Sequence, residues 1–286
     1  RSISGLTQLK KLDLDMSRCH KMTDKSLNAL GAALMKLTSL ESLSLAYHGC
    51  DKHIGDKGVT DLSLGIAKLS QLTNLKINLQ ECEKLGDDGI IKLGIALSEL
   101  SKLKTIELYF DLCIKPSSTS LVAIAGGLIK ANTKQDPKDA ALRGIRLSFR
   151  SCEKIDDKGV IALAETVTKL QNLESLDLNF NYCIKITDKA IAEIAKCVSK
   201  HPKITQLNLY MQGCNKIDEN PLQFSTFITE ISKSQCLTSL AFNLSDTNIG
   251  NGSVFTICHH LSKLTTLTHF SLKLNRCTQT IDDYSL

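Results

Sequence analysis

Two short clusters in this sequence combine side chains that commonly bind metals or act as nucleophiles. Cys258-His259-His260 places three metal-binding residues side by side, and Cys19-His20 pairs a thiol with a base. Neighbours on a helix point in different directions, so we expect the first cluster to form a helix face or cap rather than a metal site. Adjacency also fails to give the second cluster the hydrogen-bond geometry of an activated nucleophile. We therefore expect no catalytic residue, no metal, no cofactor and no small-molecule substrate.

The eleven cysteines follow a regular pattern. Eight of them recur at one position of a repeat of about 31 residues: Cys19, Cys50, Cys82, Cys113, Cys152, Cys183, Cys214 and Cys277. Equivalent residues of stacked repeats point the same way, which is poor geometry for a disulfide, so this cysteine ladder is expected to hold free, core-filling thiols. Free thiols favour an intracellular location, and we expect the cytoplasm, including cytoskeletal assemblies.

Each cysteine follows a segment in which apolar residues alternate with polar ones. Leu176, Leu178 and Phe180 precede Cys183 in this way, and a period of two predicts a strand with one buried face. The segment after each cysteine has the apolar spacing of a helix face, as in residues 157–169. The sequence thus predicts an α/β solenoid of about nine strand-turn-helix repeats in a single domain, 1–286.

Two features concern the boundaries of this domain. A polar insertion in the fourth repeat predicts a surface loop at 131–140. The chain begins inside the repeat pattern, and its last repeat ends without a capping helix. We therefore expect it to be a fragment of a longer protein.

An acidic residue recurs where each helix is expected to begin. The positions are Asp24, Asp56, Asp87, Asp157, Asp188 and Glu219. An acid there can accept hydrogen bonds from free backbone amides and interact favourably with the helix dipole. Because an active site needs singular residues, we interpret this recurrent acid as a helix cap.

The stretch "LESLDLNFNYCIKITDKAI" at 173–191 fits the pattern L-x-x-L-x-L-x-x-C-x-x-I-T-D-x-x-I. It resembles the cysteine-containing leucine-rich repeats of F-box adaptors. The longer helical half, "DKGVIALAETVTKLQNL" at 157–173, looks more like ribonuclease inhibitor repeats. The mixture is also similar to the leucine-rich repeat regions of large protist proteins. This resemblance implies a curved horseshoe with parallel strands on the concave face and helices on the convex face.

Residues between the buried strand positions are expected to project onto that concave face. In the central repeats they present charged and aromatic side chains: Glu107, Tyr109, Asp111, Arg146, Arg150, Asp177, Asn179 and Tyr210. Tyrosine and arginine are favoured anchors in protein interfaces. We predict a partner-binding patch here; the alternative is an ordinary polar strand surface.

A row of lysines is the second candidate surface. Each lies two residues after a ladder cysteine: Lys21, Lys52, Lys84, Lys115, Lys154, Lys185 and Lys216. Such a row could bind an anionic partner. The helix-start acids lie close by and would neutralise part of the field, and no aromatic residue recurs to stack bases. A solvated edge is the alternative, and nucleic acid is not an expected partner.

Composition limits the function classes further. The formal net charge of +5 is too small for a dedicated nucleic-acid binder, and no apolar run reaches the length of about 20 residues that spans a membrane. The sequence predicts a non-catalytic scaffold that binds other proteins, as a subunit of a larger complex. The alternatives are the substrate-recognition arm of an F-box ubiquitin-ligase adaptor, implied by the resemblance, and a binder of anionic surfaces.

Overall fold

The computed structural model describes residues 3–50, 53–134 and 141–277. In these ranges a short 3-10 helix, Ile3–Gly5, precedes nine strands that alternate with eight α-helices. The strands are β1 (Lys11–Asp15), β2 (Ser42–Ala46), β3 (Asn74–Asn78), β4 (Thr105–Tyr109), β5 (Gly144–Ser148), β6 (Ser175–Asn179), β7 (Gln206–Tyr210), β8 (Ser239–Asn243) and β9 (His269–Lys273). The helices are α1 (Asp24–Leu34), α2 (Asp56–Ile66), α3 (Asp87–Leu97), α4 (Ser118–Thr133), α5 (Asp157–Lys169), α6 (Asp188–Lys200), α7 (Pro221–Ile231) and α8 (Asn251–Leu261).

The strands form one parallel sheet in chain order, β1 to β9, and we number the repeats by their strands. Each helix packs against the helix of the next repeat, so the helices cover one face of the sheet. Packed helices lie about 8–10 Å apart and paired strands only about 4.8 Å apart. The sheet must therefore line the inner side of a curved stack. The predicted α/β solenoid is confirmed.

The insertion in the fourth repeat begins later than predicted. Residues 131–133 are the last turn of α4, so they are helix and not loop. Lys134 caps that helix, and residues 135–140 lie outside the described part of the chain. The expected loop boundary at 131 is corrected accordingly.

Aromatic side chains fill the core beneath the central strands. Phe110, Phe149 and Phe180 occupy equivalent positions after β4, β5 and β6 and are fully buried. Their ring centroids lie 5.1 Å and 6.4 Å apart from one repeat to the next. Each buried phenylalanine contributes about 2–3 kcal/mol of hydrophobic stabilisation, so the repeats are held together by core residues that alternate with the surface positions.

Glycines allow the helices of repeats 3 and 4 to approach closely. A Cβ atom on Gly127 would lie 2.1 Å from the backbone oxygen of Gly94, whereas one on Gly126 would meet no atom within 4 Å. The first position therefore excludes every other residue, and the second does not. This packing explains why α4 has a glycine at 127; it does not explain the glycine at 126.

The recurrent acid begins its helix but bonds to the next repeat. Asp56 and Asp87 are the first residues of α2 and α3, and the residue before each is the N-cap. The carboxylate of Asp56 accepts the backbone N–H of Gly86 at 2.8 Å and of Gly89 at 2.9 Å. The acid therefore accepts backbone amides at a helix start, as predicted, but these amides belong to the helix of the following repeat.

The prediction that Glu219 is the acid at the start of its helix is also corrected. It is exposed and lies before α7, which starts at Pro221. Asp218 makes the bond to the next repeat instead, since the Ser253 hydroxyl donates to its carboxylate at 2.5 Å. The helix of this repeat begins with a proline, Pro221, after the N-cap Asn220.

Candidate functional site

The sheet face without helices, here called the open sheet face, carries a row of charged residues at the middle of its strands. Glu107, Arg146, Asp177 and Asn208 occupy equivalent positions on β4, β5, β6 and β7. The Arg146 guanidinium lies 3.8 Å from the Glu107 carboxylate and 3.2 Å from that of Asp177. The Asn208 amide donates to Asp177 at 3.0 Å. Four adjacent strands are thereby linked by their surface side chains.

Tyr109 borders this row. Its hydroxyl donates to Glu107 at 2.7 Å, and the Lys76 ammonium lies 5.7 Å from its ring centroid. Partial burial raises the pKa of Tyr109. The hydrogen bond with Tyr109 and the negative charges of Asp177 and Glu107 raise the pKa of Arg146. Arg146 is therefore positively charged, and its position is set by side chains of the two neighbouring strands, β4 and β6.

A cleft of about 110 Å³ opens beside the charged row. It lies where Gly144 begins β5, because this position carries a side chain in the neighbouring strands and none here. Thr105 and Ser175 flank the glycine, and Glu107, Arg146 and Asp177 line one side of the cleft. A cleft of this size can receive a small side chain of a partner.

Six of the eight residues predicted for the patch lie on this face. Glu107, Tyr109, Arg146 and Asp177 form the cluster above, and Asn179 and Tyr210 are paired in the next register position. Arg150 lies in the turn after β5, with its guanidinium 5.5 Å from the Tyr182 ring centroid. These residues remain a proposed site.

Asp111 does not belong to the surface. Only 9% of the residue is exposed. It accepts hydrogen bonds from the Ser148 hydroxyl, from the Arg150 backbone N–H at 2.9 Å and from the Gln80 amide at 2.7 Å. The prediction that it contacts a partner is corrected, because its carboxylate joins the strand ends of repeats 3, 4 and 5.

Sequence reasoning missed Lys76, Asn208 and Gly144 as parts of the face. Lys76 and Asn208 hold the same register position as Glu107, so a strict alignment of the repeats would have included them. Gly144 offers no such signal, because a cleft results from the side chains beside a glycine and not from the glycine itself.

The lysine row lies on a different surface, which we call the turn edge. It comprises the turns from each ladder cysteine to the second residue of the following helix, at 19–25, 53–57, 82–88, 113–119, 152–158, 183–189 and 214–222. Six of the predicted lysines are exposed there: Lys21, Lys84, Lys115, Lys154, Lys185 and Lys216. Lys52 lies outside the described residues.

The turn edge has a fixed backbone. In every described repeat the residue before the ladder position has a left-handed conformation, for example Leu112 with φ 62° and Tyr182 with φ 61°. The backbone N–H of the ladder cysteine then closes the turn, as in Cys183 to the Phe180 oxygen at 3.0 Å. Bridges such as Ser117 with Lys154 and Asp156 with Lys185 extend the parallel pairing through the turn. The lysines are thus spaced by the sheet itself.

The ladder cysteines are structural. Cys113, Cys183 and Cys214 donate to backbone oxygens of the preceding repeat, at 3.2, 3.1 and 3.1 Å. Burial raises the pKa of Cys113 and Cys214 to about 12. All eleven cysteines are free. Cys50, Cys82 and Cys152 are buried in the same ladder, Cys19 is exposed at its start, and Cys277 is half-buried at its end.

Among the described residues, no group of three or more histidine, cysteine, aspartate or glutamate side chains is arranged so that it could hold a metal ion. Cys258, His259 and His260 lie on α8, where His259 stacks on Phe255 at 6.0 Å. In the same part of the chain, no helix is long and apolar enough to cross a membrane.

Parallel strands joined by a cysteine-bearing turn to a helix define a solenoid of short α/β repeats. The family model described as Leucine Rich repeat matches residues 145–164, which contain most of β5 and the first half of α5. One repeat of the chain thus matches the leucine-rich repeat family, and the same strand, turn and helix recur along the described residues. Such solenoids generally act as protein-interaction scaffolds.

Comparison with solved structures gives a chain of the Drosophila Toll–Spatzle complex, in its glycosylated form, a complex described as a molecular hub in development and innate immunity. The two chains share 13% identity and a TM-score of 0.29. The similarity covers 88% of this chain and 43% of the other, so this chain spans less than half of that length. No curated protein matches the sequence.

Proposed function

We propose that this chain is a non-catalytic scaffold that binds another protein through the open sheet face of repeats 4 to 7, within a larger assembly. The observation that carries the proposal is the position of Arg146 between Glu107 and Asp177, beside the cleft at Gly144. Arginine and tyrosine side chains next to a pocket are the usual anchors of protein interfaces.

A contribution to the stability of the fold does not account for the charged cluster around Arg146. The Arg146 side chain is 46% exposed and that of Glu107 is 34% exposed, and ion pairs with this much solvent contribute only about 0–1 kcal/mol. The side chains are nevertheless held in place by neighbours on adjacent strands. A partner would therefore bind groups that are already ordered, at a small entropic cost.

A charge reversal tests the proposal. The full-length protein is used to capture partners from native extract, with Arg146→Glu as the variant and Lys92→Glu as a charge-matched control on the exposed side of α3. Both variants change the net charge equally, and circular dichroism checks that both remain folded.

The proposal requires that a constant set of captured proteins is lost with Arg146→Glu and retained with Lys92→Glu. Hydrogen exchange should then show protection of β4 to β7 in the complex. Equal capture by both variants would exclude this face as the interface. Recovery of cullin-type ligase components with a changing set of clients would favour the F-box adaptor over the scaffold.

A further inference from the structure

The turn edge is close to neutral, although it carries the predicted lysine row. Its described segments contain ten lysines and eleven aspartates and glutamates. Asp87 and Asp157 accept hydrogen bonds from Ser117 and Thr187, but these neutral donors leave the charge of each carboxylate in place. The positive charge of this chain is therefore concentrated on another surface.

The opposite edge of the stack, where the helices end and the strands begin, is strongly basic. We call it the helix-end edge. It runs in each repeat from the last turn of the helix to the residue before the next strand, and it includes the residues before β1: 6–10, 31–41, 63–73, 94–104, 130–134, 141–143, 166–174, 197–205, 228–238 and 258–268. These segments contain thirteen lysines and arginines and four glutamates.

This edge accounts for more than the whole positive charge of the chain. The full sequence has 35 basic and 30 acidic residues and a net charge of +5, so the remainder of the chain is net acidic. Residues 135–140, which lie outside the described part of the chain, add two aspartates and one lysine by sequence. The excess of positive charge at the helix-end edge persists when they are counted.

The cations of the helix-end edge form a row along the stack. Seven exposed lysines occupy one equivalent position at the ends of successive helices: Lys36, Lys68, Lys130, Lys169, Lys200, Lys233 and Lys263. Packed helices lie about 8–10 Å apart, which sets the spacing of this row. Nearer the sheet, nine strands spaced by about 4.8 Å span about 40 Å. The charge is thus spread over an extended surface and not gathered in a pocket.

Each glutamate of this edge is paired with a cation of the same edge. The four pairs, with their N–O distances, are Lys10–Glu41 at 3.0 Å, Lys134–Glu99 at 2.7 Å, Arg143–Glu174 at 3.5 Å and Lys233–Glu230 at 2.6 Å. Nine exposed lysines form no salt bridge among the described residues: Lys36, Lys68, Lys102, Lys104, Lys130, Lys169, Lys200, Lys203 and Lys263. The positive charge that remains is available to a partner.

The helix dipole explains only part of this charge. A cation near the end of a helix interacts favourably with the negative end of the dipole, and the effect is limited to the last turn. Lys102, Lys104 and Lys203 lie beyond the helix ends, in the segments that lead to β4 and β7. Like charges on one edge repel each other, so fold stability does not account for these additional lysines.

The composition of the edge distinguishes between anionic partners. Its segments contain no phenylalanine, tyrosine or tryptophan, so they offer no platform on which nucleic-acid bases could stack. Arg143 is the one arginine in these segments and is paired with Glu174, whereas arginine is the side chain that binds a phosphate through two parallel hydrogen bonds. Lysines on flexible stems suit a surface that carries many mobile charges.

Exposed apolar side chains accompany the lysines in repeats 1 to 3. Four of them, between 42% and 56% exposed, lie in the segments of this edge: Leu6, Met35, Leu64 and Ile95. Met35 directly precedes Lys36, and Leu64 lies about one helical turn before Lys68. The phosphates of a nucleic acid offer no contact to such side chains, whereas a bilayer has its acyl boundary directly beneath the headgroups. We propose that the helix-end edge is a peripheral binding surface for the anionic lipid headgroups of a membrane.

The test measures co-sedimentation of the intact chain with lipid vesicles. Vesicles of equal parts phosphatidylcholine and phosphatidylserine are compared with vesicles of phosphatidylcholine alone. Duplex DNA, single-stranded oligo(dT) and polyglutamate, at equal concentrations of negative charge, are the alternative anionic probes. Binding is compared at about 0.1 M and about 1 M salt, where the Debye length falls from about 10 Å to about 3 Å.

Opposite ends of the same two helices provide a matched pair of variants. Lys169→Gln with Lys200→Gln removes two charges from the ends of α5 and α6, on the helix-end edge. Lys158→Gln with Lys189→Gln removes two charges from the starts of these helices, on the turn edge. All four lysines are exposed, and circular dichroism checks that both variants remain folded. Arg146→Glu changes the net charge by the same amount and should bind vesicles normally, which separates this proposal from the open sheet face.

The proposal requires that the chain binds the phosphatidylserine vesicles, does not bind phosphatidylcholine alone, and is released at high salt. Each lysine near an anionic surface contributes a factor of about five to the affinity, so the helix-end variant should bind about 25-fold more weakly. The turn-edge variant should bind like the wild type. Equal losses in the two variants, no binding of the phosphatidylserine vesicles, or tighter binding of DNA, oligo(dT) or polyglutamate would overturn it.

Discussion

The carboxylate of Asp87 accepts the backbone N–H of Ser117 in the next repeat at 2.8 Å. The same carboxylate also accepts the hydroxyls of Ser117 and Ser120, both at 2.6 Å. Burial opposes the ionised form, but these hydrogen bonds outweigh it and lower the pKa of Asp87. One acid at a helix start thus fixes the helix start of its neighbour, and the stack is held together at the turn edge as well as in the core.

Asp87→Ala should therefore destabilise the fold by about 2 kcal/mol, because it leaves a backbone amide and two hydroxyls without their charged acceptor. Asp88→Ala is the matched control. Asp88 is the adjacent, exposed acid on the same helix, and its loss should cost less than about 1 kcal/mol, from the helix dipole alone. Urea unfolding curves of the two variants measure the difference. Equal midpoints would show that the bonds between repeats add nothing.

The neighbouring glycines of α4 give a second matched pair. Gly127→Ala should destabilise the fold by about 2 kcal/mol or more, since its Cβ would overlap the Gly94 oxygen. Gly126→Ala should instead stabilise it by up to about 1 kcal/mol, because alanine is the better helix former and the space is open. Thermal unfolding should rank the proteins with Gly126→Ala first, the wild type second and Gly127→Ala last. The reverse order would contradict the close approach of α3 and α4.

The repeat pattern was readable from sequence because its cause is local. Alternation around Leu176 and Leu178 requires only a strand with one buried face, and the cysteine ladder follows from the period. The direction of the acid side chains was not readable, because it depends on how one repeat stacks on the next.

The sequence also predicted wrong positions for two acids: Glu219 was expected at a helix start and Asp111 on the surface. Pro221 occupies the first position of α7, so the acid that reaches repeat 8 is Asp218, whose left-handed backbone, with φ 64°, no spacing rule predicts. The alternation of β4, continued to Asp111, predicts a surface side chain there, but the strand ends at Tyr109. Its carboxylate instead accepts hydrogen bonds from residues of repeats 3 and 5.

Thiol reactivity should separate the ladder into two classes. The thiolate is the reactive form, and burial raises the pKa of Cys183 far above its usual range. Cys19 is exposed. Brief treatment of the folded protein with iodoacetamide, followed by peptide mass spectrometry, should find Cys19 alkylated and Cys183 protected. Both should react in denaturant, and rapid alkylation of Cys183 in the folded protein would contradict the buried ladder.

His201 should make the stability of the fold depend on pH. Its ring is buried with 4% exposure. The Nε2 atom lies 3.0 Å from the Leu170 oxygen, and Nδ1 accepts the backbone N–H groups of Lys203 and Ile204, both at 3.2 Å. The ring is therefore neutral with its proton on Nε2, and a second proton would face two donors. Burial lowers the pKa of this histidine in the folded state from its usual 6.5.

The direction of this pH dependence follows from the difference in proton binding between the folded and unfolded chains. Below about pH 6.5 the unfolded chain binds a proton at His201 that the folded chain rejects, so the free energy of unfolding falls as the pH falls. Asp188 titrates in the same window with the opposite effect, because burial raises its pKa to about 6. The histidine must therefore be isolated by substitution.

His201→Gln should be less stable than the wild type at pH 7, since glutamine cannot reproduce all three hydrogen bonds. The difference in the free energy of unfolding between the two proteins, here called the gap, should narrow by up to about 1.4 kcal/mol per pH unit below pH 6.5. His53→Gln, at an exposed position, is the matched control substitution. Urea unfolding between pH 7 and pH 5 measures the gap. A constant gap would mean that His201 accepts its second proton in the folded state, and that the Nδ1 contacts do not hold the ring neutral.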